Sequence, residues 1–495
     1  MFRGTEGNPM ARLFSVMRTN TFRASTWLAV IAVCVSGMLA SSQSALAQLG
    51  GGGGGGNTIG GGATSGVAVD ADGVLRRMTD VDPTGELARQ RAAEAIARLD
   101  RDVARRSPLR KVSLTRLERI MAQRIAEGRG ADDAMRHLAG LTRIEFVFCY
   151  PESGDIVIAG PAEAWAEAPS GRMLGIESSR PVLELQDLIV ALRAFPPGAD
   201  NKKPFIFCSI DPTAEGLSRM QEFLNELGGR IDNPAHNPGQ EQFIVSGLRE
   251  RLGMQVITVG GVSPKTHFAQ VMVEADYRMK LIGIGLERPP VRLTSYVERA
   301  NPSQVARNAL QRWYFVPDYQ CVRVSDDSLA MKLEGEGVRL VGENEVVGKD
   351  GRRRVAAKGN QASDSFVKAF TKVYPRLAER APVYAQLRNC IDLAITAAFI
   401  QNQDYYSLVN WKPSVFHSED AYPVETLNPP QQVESAVNSL WKGNSLMTPV
   451  GGGVQMRPTE AVDSTNMLDD DDAQVQEARA AIDLSTLAPD QWWWD

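Results

Sequence analysis

Eight residues, Phe205-Ile206-Phe207-Cys208-Ser209-Ile210-Asp211-Pro212, set the architecture of this 495-residue chain. Phe205 to Ile210 is aromatic and β-branched, which suits a pleated, half-buried strand. Asp211-Pro212 reads as a helix N-cap followed by proline at the first helical position, where no N–H is missed. Behind it Leu217, Met220, Leu224 and Leu227 recur at helical steps as far as Gly228-Gly229. A helix near 240–252 then leads into a strand from Met254 to Val259. Ser263-Pro264 opens another helix, with Phe268, Val271, Met272, Ala275 and Met279 on one face. Strand–helix–strand alternation predicts helices packed on a sheet, an α+β protein with α/β-type layers at 141–290.

Upstream, residues 67–140 read as a hairpin around Asp72-Gly73 and Arg-rich helices. Ala92, Ile96, Leu99 and Val103 mark the first helix. Ser113 caps the second, whose apolar stripe is Leu117, Ile120, Met121 and Ile125, and a third runs to Gly140. Ile144, Phe146 and Phe148 alternate into a strand that turns at Pro151 to Gly154 and returns through Ile156 to Ala159. Leu185, Leu188, Ile189 and Leu192 make a helix that Pro196-Pro197 stops. Downstream, 291–402 reads as a β-meander with a pair of helices at 364–374 and 383–400. Residues 403–456 show no periodicity, and 457–495 form an acidic tail, expected to be disordered, that ends in Trp492-Trp493-Trp494-Asp495.

Composition narrows the class. Charged residues at 23% and a mean hydropathy of -0.21 exclude a multi-spanning membrane protein. Residues 1–47 have the order of a secretory leader: Arg3, Arg12, Arg18 and Arg23, an apolar run from Trp27 to Ala40, then Ala45-Leu46-Ala47. Cleavage is expected after Ala47, and the glycines of 48–66 read as a flexible tether. The leader's four arginines against one glutamate give +3, so a chain of net charge -5 matures to -8. Residues 84–129 hold twelve basic and six acidic residues; 457–495 hold two arginines and ten carboxylates. Such runs read first as solvated surface, with docking of the basic head onto an acidic partner, including this chain's own tail, as the sharper reading. Nucleic acid is a poor partner for a net acidic, exported chain.

No constellation of catalytic residues is legible along the chain. His137, His236, His267 and His417 never fall in a metal-binding spacing, no C-x-x-C occurs, and no cofactor or metal site is expected. Asp80 to Gly85 begins like a calcium loop, but Arg91 stands where the bidentate carboxylate belongs. Gly342 to Lys349 is one residue too long for a phosphate loop, and Asp350 replaces its hydroxyl. Asp211 reads as a cap, Asp276 and Lys280 as an exposed i,i+4 ion pair, and His267 as a surface or satisfied core histidine. Cys149, Cys208, Cys321 and Cys390 remain after cleavage; a Cys149–Cys208 disulfide and buried thiols are equally open.

The stretches Gly154 to Glu163, Cys208 to Gly216, Val273 to Lys280, Val316-Pro317-Asp318-Tyr319 and Leu387-Arg388-Asn389 resemble a family of exported proteins from planctomycete-type bacteria, defined by a domain of unknown function. The resemblance spans roughly 140–405 and implies export and a shared fold, with no activity or site residue attached. The expectation is therefore a secreted or periplasmic, non-catalytic interaction protein whose partner is an envelope protein or polymer. One alternative is a hydrolase of unfamiliar type using Asp211 and Asp276 near His267. Another is a polymer- or sugar-binding module with exposed aromatics at Trp411 or Tyr405-Tyr406.

Overall fold

A computed structural model describes residues 66–78, 82, 84–198, 204–227, 238–301, 309–347, 353–355, 359–424, 426–438, 440–441, 445–446 and 450–495. The leader, the tether up to residue 65, part of the calcium-like loop and the end of the phosphate-like loop lie outside them. The chain begins with the expected hairpin, β1 (Val67–Val69) and β2 (Leu75–Arg77). Asp70 accepts from the backbone of Asp72 and Val74, and Gly73 supplies the positive φ of the turn. Helices α1 (Glu86–Arg98) and α2 (Arg101–Ala104) precede β3 (Ser107–Ser113). Ser113 then caps α3 (Leu114–Ala126) by accepting from Arg116 N, as its place before the apolar stripe predicts. After the short α4 (Asp133–Arg136) come β4 (Phe146–Tyr150), β5 (Asp155–Ala162) and the ribbon β6 (Trp165–Glu167) with β7 (Met173–Gly175).

Helix α5 (Leu185–Ala194) leads to β8 (Ile206–Pro212), the helical hairpin α6 (Ala214–Glu226) and α7 (Pro238–Leu252), β9 (Met254–Gly260) and α8 (His267–Gly283). β8 and β9 pair antiparallel, from Phe207 with Gly260 to Pro212 with Gln255. Two helices between the strands return the chain to the end it left, so this unit is α+β and not a parallel βαβ crossover. The strand also runs two residues further than expected. Thr213, not Asp211, caps α6 by accepting from Gly216 N at 2.9 Å. Pro212, the strand's last residue, lies past Ser209, where the pairing with the strand Val450–Met456 ends, so that neighbour needs no N–H from it.

Past α9 (Tyr296–Arg299), the meander divides. Long strands β10 (Ala309–Pro317) and β13 (Val338–Val347) pair with each other, while β11 (Val322–Val324) and β12 (Ala330–Leu333) between them join a different sheet. β14 (Arg353–Val355) extends the first pair. The helical pair is longer than the pattern indicated: α10 (Gln361–Arg380) continues through Pro375, and α11 (Pro382–Asn402) is buried on nearly every side, as its all-round hydrophobicity requires. Then come α12 (Tyr405–Leu408), β15 (Gln432–Glu434), the two-residue pair β16 (Leu440–Trp441) and β17 (Ser445–Leu446), and β18 (Val450–Met456). The last elements are α13 (Pro458–Ala461), β19 (Leu468–Asp469), α14 (Gln474–Ala480) and β20 (Trp493–Trp494).

Two seven-stranded sheets result, in the orders β14-β13-β10-β18-β8-β9-β15 and β19-β11-β12-β4-β5-β3-β20. Each draws strands from distant parts of the chain. The central strand β18 lies in the stretch that carries no periodicity, because Gly451, Gly452 and Gly453 occupy its middle. A Cβ at Gly452 would stand 1.9 Å from the Trp313 carbonyl oxygen, and one at Gly453 1.8 Å from that of Cys208. Glycine lets β18 insert between β10 and β8. α8 lies on this sheet, α11 lies on α8 and α5, and Leu217, Phe223, Ile244 and Leu248 of α6–α7 pack with Leu310 in a separate apolar cluster.

The acidic tail is ordered, contrary to expectation. Trp493 and Trp494 pair with Val112 and Lys111 at the edge of the second sheet. Val475, Leu484 and Leu487 cover Phe148, Tyr150 and Val157 on that sheet's outer face. The Asp495 carboxylate meets Arg110 at 2.8 Å and Arg105 at 3.0 Å, while Arg116 and Arg119 donate to the carbonyls of Ala488 and Pro489. The basic head thus takes its own chain's tail as the anionic partner. Among the described residues, no helix is long and apolar enough to cross a membrane.

Candidate functional site

Helix α8 carries the chemistry-bearing residues, and its geometry sorts them. His267 and Asp276 are nine residues apart, which on an α-helix is about 14 Å along the axis and half a turn around it. They face opposite sides, so the hydrolase arrangement of Asp211 and Asp276 near His267 is not assembled.

On the sheet side, Lys280 Nζ donates to Asp276 at 2.7 Å and to the carbonyls of Ile210 and Gly452 at 2.8 and 3.1 Å. The pair expected on the surface is buried, with Asp276 0% and Lys280 5% exposed. Burial pushes the Asp276 carboxyl up to about 6 despite the ammonium beside it. Asp211 faces the same region, bonding Arg312 at 3.1 Å and accepting from Gly452 N at 3.3 Å. Its role is tying β8 to β10 and β18, not capping.

On the opposite side, α5 and α8 begin against each other. Glu184 is the N-cap residue of α5, Asp187 lies in that helix's first turn, and His267 is the first residue of α8, which Thr266 caps. His267 is 2% exposed. Its Nδ1 lies 2.8 Å from Asp187 Oδ2, and its Nε2 is 3.7 Å from Glu184 Oε1 and 3.5 Å from the Gln386 amide nitrogen of α11. Burial alone would drive the ring neutral, but the carboxylates of Asp187 and Glu184 outweigh it and hold the imidazole up at about 10. Burial also lifts the Asp187 carboxyl. These shifts pull opposite ways on the pair; imidazolium is the state that the neighbouring carboxylates favour. One ring nitrogen and one oxygen of each carboxylate lie within 4.8 Å of one another, the one grouping among the described residues that could hold a metal ion.

A polar chain continues from this cluster. The Gln386 carbonyl accepts from Arg172, whose guanidinium also clasps the fully buried Glu274. Glu274 meets Arg278 at 3.4 Å, and Arg278 meets Glu287 at 2.8 Å. Glu274 and Arg278 follow His267 at i+7 and i+11, one stripe of α8.

Glu184 also borders a surface cleft of about 500 Å³, whose lining includes Arg136, His137, Glu167, Met173 and Tyr422. It therefore connects the cleft to the buried pair. Sequence reasoning singled out His267 without its partners, because Asp187 lies 80 residues away in the chain. The Glu184–Asp187 spacing resembles any acidic helix start, so only the fold distinguishes it.

The remaining candidates have structural places. Asp82 accepts from Leu87 and Ala88 N at the start of α1, and Arg91 donates to the Ala168 carbonyl. Gly342 to Val347 lies within β13. Cys149 and Cys208 sit in different sheets, and all four described cysteines are buried free thiols, so the proposed disulfide is not formed. The aromatics proposed for sugar binding are core residues: Tyr405, Tyr406 and Trp411 are 0, 3 and 7% exposed.

Residues 208–296 match a family model described as a protein of unknown function (DUF1598). The matched span runs from β8 to the start of α9 and includes Asp211, His267, Glu274, Asp276 and Lys280; Glu184 and Asp187 lie outside it. No curated protein and no solved structure matches the chain.

Proposed function

We propose that the chain is exported and acts outside the cytosol as a non-catalytic binding protein, with the cleft beside Glu184 as its recognition site. Export rests on the order of residues 1–47: basic flank, short apolar run and Ala45-Leu46-Ala47. The observation that carries the binding reading is the surroundings of His267. Its ring contacts Asp187, Glu184 and the Gln386 amide, none of them a nucleophile, and burial pushes the nearby Cys390 thiol well above its ordinary value, away from the thiolate. The cleft, by contrast, is lined by Arg136, Glu167 and Glu184 together with Met173 and Tyr422. Charges of both signs in one concavity suit a ligand that itself carries both, such as a peptide segment.

The test uses the processed chain isolated from its own compartment. Mass spectrometry should find Gln48 as the first residue and a co-purifying ligand that is lost from a folded Arg136→Glu variant. Intact peptides upstream of Gln48 in the soluble cell interior would overturn the export reading. Release of product at a rate that His267→Gln abolishes would overturn the non-catalytic one.

A further inference from the structure

We propose that Glu184, Asp187 and His267 form a binding site for one first-row divalent cation of the zinc or manganese type. The donor set fits once the ion displaces the ring's extra proton to solvent: one neutral imidazole with two carboxylates suits such ions, whereas calcium prefers oxygen alone. Spacing fits as well. An ion held at about 2.0–2.2 Å by each donor needs those donors about 3–4 Å apart. The three donor atoms already lie within 4.8 Å of one another, so closure of at most about 1–2 Å is enough.

Two further observations point to a missing cation. Asp187 is 5% exposed, yet its Oδ1 is buried without a hydrogen bond of normal geometry, although the Phe268 N–H lies near the carboxyl. An unpaired buried carboxylate oxygen is costly, and a cation would satisfy it. His267 Nε2 is poorly served too, since 3.5 and 3.7 Å are long for hydrogen bonds. Between these groups lies a cavity of about 10 Å³, lined also by Gln386 and Asn389, roughly the room of one small bound species. Arg172 commits its guanidinium to Glu274 and Gln386, not to the two carboxylates. Glu184 reaches both this cavity and the cleft, which supplies the entry path. The site stands whether or not the cleft binds a ligand.

The experiment takes the processed chain from Gln48, strips it with a chelator, and titrates Zn²⁺ and Mn²⁺ by calorimetry, with metal analysis after gel filtration and Co²⁺ as a visible-absorption probe. The expected result is one retained equivalent and a Co²⁺ ligand-field band. Affinity should fall about tenfold or more in Asp187→Asn and in Glu184→Gln. Glu184, at the rim, guards against loss of fold in the more buried variant, and circular dichroism verifies both. Failure of the wild-type chain to retain an equivalent, or equal retention by the folded Glu184→Gln and Asp187→Asn variants, overturns the proposal; in the first case the three residues simply share a proton.

Discussion

Lys280→Met should lower folding stability at pH 7 by about 3–5 kcal/mol, the cost of stranding a buried charge. Methionine keeps most of the lysine stem but removes the ammonium that bonds Asp276 at 2.7 Å and the carbonyls of Ile210 and Gly452. Asp276 is fully buried and its Oδ1 already lacks a partner, so no second donor stands ready. Adding Asp276→Asn removes the stranded charge and leaves two under-bonded carbonyls, worth about 1 kcal/mol each. The double variant should therefore be more stable than Lys280→Met alone. The pH response has a definite sign. Asp276 has a folded value of about 6, above its ordinary 3.8, so the folded state holds the proton more tightly. Its contribution to stability rises as pH falls through 6 towards 3.8, and loss of Lys280 raises the folded value further. The Lys280→Met deficit should thus narrow between about pH 7 and pH 5. Urea unfolding of the four chains of the cycle at both pH values measures this. Additive losses, or a deficit that does not change with pH, would refute the assignment of Lys280 as counter-ion.

Arg110→Met should destabilise by about 3–5 kcal/mol and raise hydrogen exchange across 474–495, because a fully buried guanidinium that bonds Asp495 and four backbone carbonyls is lost. Burial raises the Asp495 carboxyl, but bonds from Arg110 and Arg105 prevail and hold it below its ordinary value. Tail docking should therefore be complete above about pH 4 and weaken as pH falls through the depressed value, read as loss of amide protection in the tail. Thiol titration of the chain from Gln48 should give no reaction natively and four equivalents in denaturant, since burial pushes Cys149 and Cys321 up to about 12 and lifts Cys208 and Cys390 as well. Gly452→Ala should abolish soluble folding, because its Cβ would sit 1.9 Å from the Trp313 carbonyl at a φ of +121°; expression of a normally stable variant would show that β18 does not pass there.

Many local signals were legible, although the single helix expected through Ala92, Ile96, Leu99 and Val103 breaks at Leu99, where Asp100 caps a second one. Ser113 before an apolar stripe, Asp72-Gly73 between alternating residues, and Leu217, Met220, Phe268 and Met272 at helical spacing act over three or four residues, and each lies in the element its pattern implies. Asp211 misled because a cap and a strand end look alike until Thr213 is seen to take the Gly216 N–H. Glycine hid β18, since a strand recognised by its side chains has none to show at its centre. The acidic tail read as solvated because charge counts ignore distance in space.

The amino-acid order alone accounts for the α+β class, the Arg-rich head, the acidic end and the leader-like start. Their burial states and partners arise only in the assembled fold. Arg110 meets Asp495 across 385 residues, and His267 meets Asp187 across 80. Periodicity reports which face of an element is apolar, but a carboxylate's role depends on what a second, distant element brings within 3 or 4 Å of it. That proximity turned Asp276 from a surface residue into a buried ion, and a helix-start carboxylate, Asp187, into the partner of His267.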